Sequence, residues 1–144
     1  APSPRTAAPP ARDVGFEWPV SGSPVISYFG ARRRTHRHTG IDLGGDRGRE
    51  IRAARAGVVT FSGRTRTGYG RMVILDHGNG LESLYAHDQE VLVRVGDTVE
   101  KGQKIALLGR TGNATTPHCH FEIRKDHVPV DPLLYLSRVA EVRP

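Results

Sequence analysis

The stretch 71-RMVILDHGNGLESLYAH-87 decides the fold of this chain. Residues 71–75 form a short apolar run that is rich in β-branched side chains, and 81–87 form a second run of similar length. Between them, 76-DHGNG-80 carries the Asp, Asn and Gly residues that favour a tight turn. Two such runs around such a turn predict a β-hairpin. We therefore expect the fold to be built from antiparallel strands.

Further strand-like runs lie on both sides of this hairpin, at 25–29, 57–61, 91–93, 104–108 and 118–124. No stretch as long as a typical helix, about 10–12 residues, shows helical periodicity, and only a turn of helix is expected near 132–136. The sequence therefore predicts an antiparallel all-β domain with at least seven short strands.

Composition excludes several classes of protein. The chain has 144 residues, 37% of them hydrophobic, with 17 Gly and 10 Pro. This composition fits one compact domain and neither a coiled coil nor a wholly disordered chain. No apolar run approaches the roughly 18 residues of a membrane-spanning helix. The lone Cys119 excludes an internal disulfide and a zinc site made of cysteines alone.

The chain is basic, with a net charge of +6 and a pI near 10.1. Such a charge attracts polyanions, among them nucleic acid, anionic lipid surfaces and acidic wall polymers. The densest basic cluster, 32-RRRTHRH-38, is equally well read as a solvated loop. With only 6% aromatic residues and no recognisable motif, a nucleic-acid binder is disfavoured.

The chain divides into three segments. Residues 1–14, APSPRTAAPPARDV, are rich in Pro and Ala and predict a disordered linker. They include no initiator Met and no apolar signal core, so we expect a processed or excised C-terminal piece of a longer protein. The domain itself is expected over 15–137, followed by a tail over 138–144.

Two short motifs carry potential ligands. In 38-HTGID-42, a turn at Gly40 would fold the Asp42 carboxylate back toward the His38 imidazole. In 118-HCHFE-122, alternation along a strand places His118, His120 and Glu122 on one face.

Residues 119 and 121 then point to the core, which argues against Cys119 as a ligand. Two imidazoles on an apolar strand are costly unless they bind a metal or transfer protons.

A third motif, 84-LYAH-87, places Tyr85 and His87 on a common strand face. One Asp and two His make a three-ligand zinc site whose fourth position stays open to water, which is the catalytic arrangement. Two spare histidines would supply proton transfer and stabilise an oxyanion. The H-E-x-x-H motif, which marks helix-based zinc proteases with a glutamate base, is missing from the sequence.

These motifs, in this order, resemble the H-x-G-[IV]-D, Y-A-H and G-P-H-[LV]-H-F-E signatures of the lysostaphin/LytM-type zinc metallopeptidases. The segments 68–70, 77–80, 96–103 and 109–112 are also similar to that family, and the likeness runs from about residue 18 to residue 134. The sequence departs from the family pattern at two positions. Cys119 stands where the family usually has Leu or Val, and Thr116 stands where it often has Gly.

The resemblance implies a β-sandwich of barrel-sandwich hybrid architecture over 15–137 and a zinc-dependent endopeptidase acting on bacterial peptidoglycan. It implies one Zn²⁺ per chain held by His38, Asp42 and His120. His87 and His118 become the catalytic histidines, with the base and the oxyanion-stabilising group not distinguished. Glu122 either orients a ligand or forms a surface salt bridge.

Other residues receive simpler interpretations. We expect His36 on the surface, His77 capping the hairpin turn and His127 in a β-turn. Tyr69 either lines the cleft or packs as an ordinary aromatic residue.

The competing hypothesis is a non-catalytic wall-binding or amidase-activating module of the same fold. Such relatives typically lack zinc ligands, whereas this sequence keeps all three. A peptidoglycan substrate places the domain outside the cytoplasmic membrane, in the periplasm, at the cell surface or secreted. We expect a monomer that binds peptidoglycan peptides, and through its charge anionic wall polymers, without specific nucleic-acid binding. The bond that is cleaved stays undetermined at this stage.

Overall fold

The computed structural model describes residues 15–137, so the linker expected at 1–14 and the tail expected at 138–144 lie outside the described residues. The described part contains ten β-strands and a 3-10 turn at Pro132–Leu134, and no α-helix. No helix in this part could cross a membrane. The predicted all-β class is confirmed.

The strands in chain order are β1 Val25–Ser27, β2 Ile41–Gly44, β3 Glu50–Arg52, β4 Gly57–Arg64, β5 Arg71–Gly78, β6 Leu81–Val91, β7 Thr98–Val99, β8 Lys104–Leu108, β9 His118–Lys125 and β10 Val128–Val130.

Every ladder between these strands is antiparallel. The main path runs β1-β2-β9-β6-β5-β4-β7, with β10 added beside β9. The long strand β6 pairs with β9 through residues 81–86 and with β8 through residues 88–91. Strands β8 and β3 therefore branch from the main sheet. Their apolar side chains join the same core as those of β2 and β9.

The central sheet has two different faces. On the inner face, Val73, Tyr85 and Phe121 belong to the main core and are fully buried. On the outer face, Met72 and Leu84 belong to a second, smaller apolar cluster. Burying each such large side chain is worth about 1.5–3 kcal/mol, and the period-2 alternation of a strand assigns it to one face.

The predicted hairpin is confirmed, with longer strands than expected. Strands β5 and β6 enclose a two-residue turn at Asn79 and Gly80, whose φ angles are +54° and +81°. Positive φ at both positions matches the right-handed twist of the flanking strands and explains the Asn-Gly pair. The Asp76 carboxylate accepts a hydrogen bond from the Gly78 amide at 2.9 Å.

The sequence analysis missed the three short strands β2, β3 and β10, of three or four residues each. Segments this short show too few alternations to be recognised. The prediction of a strand over residues 91–93 was wrong beyond its first residue, because β6 ends at Val91.

His77 does not cap the hairpin turn, as the sequence analysis expected. It lies within β5, nearly buried, and its Nδ1 donates to the Ala56 carbonyl at 2.8 Å. Its Nε2 accepts from the Ser83 hydroxyl at 2.7 Å. Burial lowers the pKa of His77 to about 4, although the hydrogen bond to Ala56 opposes this. The imidazole is therefore a neutral structural group at pH 7.

Replacement of Gly40 is expected to destabilise the domain. A Cβ at this position would lie 2.2 Å from the carbonyl oxygen of Phe121, inside the contact distance of any real side chain. Gly40→Ala should lower the free energy of unfolding by roughly 1–3 kcal/mol, measured by urea denaturation. Gly15→Ala is the matched control, because nothing lies within 4 Å of its Cβ position. Equal stability of the two variants would contradict this account.

The buried His77 should make the fold less stable in acid. In the unfolded chain the His77 imidazole binds a proton with a pKa near 6.5, whereas in the folded protein its pKa is about 4. Stability should therefore fall as pH drops through this window, by up to about 3 kcal/mol. Urea denaturation of metal-free protein at pH 7 and pH 4.5 measures this loss. His77→Gln should show a clearly smaller loss, and an unchanged loss would refute the assignment.

Candidate metal centre and catalytic cleft

Strand pairing brings the two predicted ligand motifs together. In the ladder between β2 and β9, Asp42 lies directly opposite His120, and Gly44 lies opposite His118. Cys119 and Phe121 point into the main core and are fully buried. His118, His120 and Glu122 therefore share the outer face of β9, as predicted.

Three side-chain atoms converge on one point beside this face. The Nε2 of His38 lies 3.1 Å from Asp42 Oδ1 and 3.2 Å from the Nδ1 of His120. The third edge, between His120 Nδ1 and Asp42 Oδ1, is 3.1 Å. All three residues are buried, and together they form a group that could hold a metal ion.

Hydrogen bonds on the far side of each imidazole set its tautomer. The Nδ1 of His38 donates to the Tyr28 carbonyl at 3.0 Å, and the Nε2 of His120 donates to the Glu122 carboxylate at 2.7 Å. Because both partners are acceptors, each ring carries its proton away from the cluster. Two nitrogen lone pairs and a carboxylate oxygen thus face one another, which suits a bound cation.

The Asp42 carboxylate is held in its charged form. Burial alone would raise its pKa, but the adjacent imidazoles of His120 and His38 favour the charged carboxylate, outweigh this effect and hold the pKa well below its usual range. Its second oxygen, Oδ2, accepts from Arg33 at 3.4 Å. Asp42 therefore presents a negative charge to the cluster at neutral pH.

Glu122 is a completely buried carboxylate with four partners. Its Oε2 accepts from His120, from the Thr39 hydroxyl at 2.6 Å and from the Tyr69 hydroxyl. Its Oε1 accepts from Arg124 at 2.8 Å. Burial opposes the charge, but these donors, His120 first, lower the pKa of Glu122 to about 2. The alternative of a surface salt bridge is wrong, since the group lies in the interior and orients His120.

His87 and Tyr85 do not share a strand face, so that prediction was wrong. Tyr85 lies opposite Phe121 in the core. His87 has a φ of +67° and sits where the register between β5 and β6 shifts, as an extra residue between the pairs Met72–Ala86 and Arg71–Asp88. This β-bulge breaks the alternation and turns His87 out toward the cluster.

The two histidines predicted to be catalytic, His87 and His118, pack against each other beside the cluster. The ring centroids of His87 and His118 are 4.8 Å apart. Each Nδ1 donates to a backbone carbonyl, that of Thr111 at 2.7 Å for His87 and that of Thr116 at 2.8 Å for His118. Each ring therefore keeps Nε2 available, and His118 Nε2 lies 3.5 Å from Asp42 Oδ1.

His87 is neutral at physiological pH. Burial lowers its pKa to about 4, against the opposing effect of its hydrogen bond to Thr111. A neutral ring with a free Nε2 can accept a proton from a group in the cleft.

The cluster lies at the base of a cleft of about 580 Å³. Its walls include Arg33, His36, Thr39 and the segments 67–69 and 113–115. Tyr69 lines the cleft and lies 5.4 Å, between ring centroids, from His120, so the first of its two interpretations holds. His36 is exposed at the rim, as expected.

Several residues of the site gave no recognisable sequence signal. The carbonyls of Tyr28, Thr111 and Thr116 orient histidines, and a backbone carbonyl carries no information about residue type. Arg33 was visible only as part of a basic cluster, yet it reaches Asp42. Contacts between residues that are far apart in the sequence can be identified only in the folded chain.

Residues 36–132 match the model of peptidase family M23. The chain belongs to this family. The matched segment contains every residue of the cluster and both histidines of the cleft, and the fold is that of the LytM/lysostaphin-type M23 peptidases.

Among the proteins similar to this chain is the lipoprotein NlpD/LppB homolog of Pseudomonas aeruginosa, 41% identical over 124 residues, which are 86% of this chain and 40% of that protein. The murein hydrolase activator NlpD of Escherichia coli is 41% identical over 123 residues, 85% of this chain and 31% of that protein. The chain thus spans less than half the length of these relatives.

A solved structure of a zinc-containing peptidase from Vibrio cholerae superposes with a TM-score of 0.76 at 31% identity. The superposition covers 83% of this chain and 39% of that one.

Proposed function

We propose that this M23 domain is a zinc-dependent endopeptidase that hydrolyses peptide bonds of bacterial peptidoglycan, in cross-links or stem peptides. The observation that carries the proposal is the convergence of two imidazole lone pairs and one carboxylate oxygen, each oriented by a hydrogen bond on its other side. A second support is the zinc named in the solved relative from Vibrio cholerae.

The donor set fits zinc in both chemistry and spacing. Two histidine nitrogens and one carboxylate oxygen are ligands that zinc takes in catalytic sites. With bonds of about 2.0–2.1 Å, a tetrahedral ion separates its ligand atoms by roughly 3.3 Å. The edges of 3.1–3.2 Å between His38, Asp42 and His120 are close to this value.

A zinc ion held there would supply Lewis acidity, activating a water molecule and polarising the carbonyl of the scissile bond. The chain's own residues do the rest. His38, Asp42 and His120 act as ligands, and Glu122 fixes the ring of His120. The Nε2 atoms of His87 and His118 face the cleft, where one accepts a proton and the other, in its doubly protonated form, donates a hydrogen bond from Nε2–H to the developing oxyanion.

The substrate assignment draws on the relatives. The Escherichia coli protein is named a murein hydrolase activator, and two others are named lipoproteins. An envelope location, outside the cytoplasmic membrane, follows for this domain under the proposal. The cleft of about 580 Å³ leaves room for part of a peptide substrate, and the positive net charge of +6 favours anionic wall polymers.

A second candidate is an activator that stimulates another murein hydrolase without cleaving bonds itself. The names of relatives 41% identical to the chain favour it. The complete set of converging donors favours the enzyme, because an activator has no need of oriented metal ligands. The two functions differ in whether the isolated chain hydrolyses sacculi.

The endopeptidase should require metal and both cleft histidines. Hydrolysis of purified sacculi, followed by released muropeptides, should stop with the chelator 1,10-phenanthroline and in His120→Ala. His87→Ala and His118→Ala should lose at least about 100-fold in rate while binding one zinc per chain. His127→Ala is the control, because its exposed side chain lies in the turn between β9 and β10.

The alternative has a distinct signature. If the wild-type chain releases no muropeptides, and if wild type and His120→Ala increase the rate of a separate amidase to the same extent, the chain is an activator and not an endopeptidase.

Glu122 should control metal affinity without touching the ion. Glu122→Gln removes the charge that orients His120, so zinc affinity should fall about 10–100-fold in competition with a chromophoric chelator. Glu82→Gln is the matched control, because the Glu82 carboxylate lies in β6 and is 3.5 Å from the exposed ring of His127. Affinity unchanged in Glu122→Gln, with the fold intact by circular dichroism, would exclude this role.

A further inference from the structure

A second cavity of about 270 Å³ lies outside the cleft and is lined by arginines. Arg47, Arg71 and Arg110 contribute to its wall together with Gln89 and Thr111. We call this cavity the arginine pocket. Its arginines come from three distant segments: the loop before β3, the start of β5 and the loop after β8. Tertiary structure alone therefore brings these positive charges together.

In the part of the chain that the structure describes, no carboxylate pairs with the arginines of this pocket. Arg71 donates only to the Gln89 carbonyl at 3.5 Å, and Arg110 only to the Thr115 carbonyl at 3.4 Å. Both bonds are long, so most guanidinium N–H groups remain available to a ligand.

Nearby groups add to the positive potential or leave it unchanged. Arg64 lies directly opposite Arg71 in the ladder between β4 and β5, an unfavourable pairing of like charges. Asp88, opposite Arg71 on β6, is fully buried without a hydrogen-bond partner. Burial raises its pKa well above the usual value, which favours the uncharged form of the carboxyl group.

We propose that the arginine pocket binds an oxyanion, a carboxylate or phosphate group of an acidic ligand. The planar guanidinium presents paired N–H donors that match two oxygens of such a group. A bound oxyanion would relieve the mutual repulsion of the three arginines, and the polar atoms of Gln89 and Thr111 complete the lining. The inference does not depend on metal binding or on hydrolysis.

The arginine pocket adjoins the loop that supports the cleft. The Thr111 hydroxyl accepts a hydrogen bond from the Arg71 amide at 3.1 Å, and the Thr111 carbonyl accepts one from His87 at 2.7 Å. Residues 113–115 of the same loop line the cleft. An acidic ligand anchored by the arginine pocket is therefore held beside the cleft.

The test measures oxyanion binding to metal-free protein, because phosphate could otherwise bind a metal. Zinc is removed with 1,10-phenanthroline, a neutral chelator that does not compete for the arginines. Inorganic phosphate and malonate are titrated separately at constant ionic strength with chloride, following arginine Nε–Hε signals by NMR. We expect saturable shifts for Arg47, Arg71 and Arg110, in the phosphate arm, the malonate arm or both.

Two variants that lose the same number of positive charges distinguish binding at the arginine pocket from nonspecific electrostatic attraction of the anion. The triple variant Arg47→Gln, Arg71→Gln, Arg110→Gln should bind at least about tenfold more weakly. The control changes the three exposed arginines Arg32, Arg34 and Arg94 to Gln, and it should bind within twofold of wild type.

Arg110→Gln alone, in an exposed loop, serves if the triple variant does not fold, with a loss of about threefold or more. Saturable binding that is equally weakened in the control variant would overturn the proposal. So would a wild-type protein whose arginine signals move only linearly with either anion.

Discussion

The antiparallel pairing of β2 with β9 is the constraint on which the site depends. It sets Asp42 opposite His120, and a shift of one residue would turn either side chain into the core. The close approach of the two strands requires Gly40, where any Cβ would strike the Phe121 carbonyl. The register between β2 and β9 is therefore stabilised by packing on the core side of the sheet, and this register brings the three donors together.

The two faces of this sheet divide the work between stability and chemistry. Phe121 and its apolar neighbours bury the inner face, which fixes the backbone of β9. On the outer face, a buried carboxylate with four donors fixes the ring of His120. Such a charge is costly to bury unless its oxygens accept hydrogen bonds. Both oxygens of Glu122 do so, three bonds on Oε2 and one on Oε1, and this network holds a rigid geometry around the cluster.

The loops decide what lies around that rigid centre. The β-bulge at His87 is stabilised by hydrogen bonds from two loops, through the Tyr69 carbonyl and the Thr111 carbonyl. These loops pack tightly, since a Cβ on Gly112 would lie 2.2 Å from the Gly68 carbonyl oxygen. The loop that contains Thr111 lines both the cleft and the arginine pocket. Small changes of sequence there can alter ligand preference without disturbing the donors on the strands.

The sequence by itself determined the all-β class, the central hairpin and the common face of His118, His120 and Glu122, because turn chemistry and strand alternation are local properties. The motif resemblance named all five proposed site residues. Only the tertiary structure decided the side of β6 on which His87 lies, the burial of Glu122 and the grouping of the pocket arginines. A bulge, a buried network and a charge cluster all arise from contacts between distant segments, which no local pattern encodes.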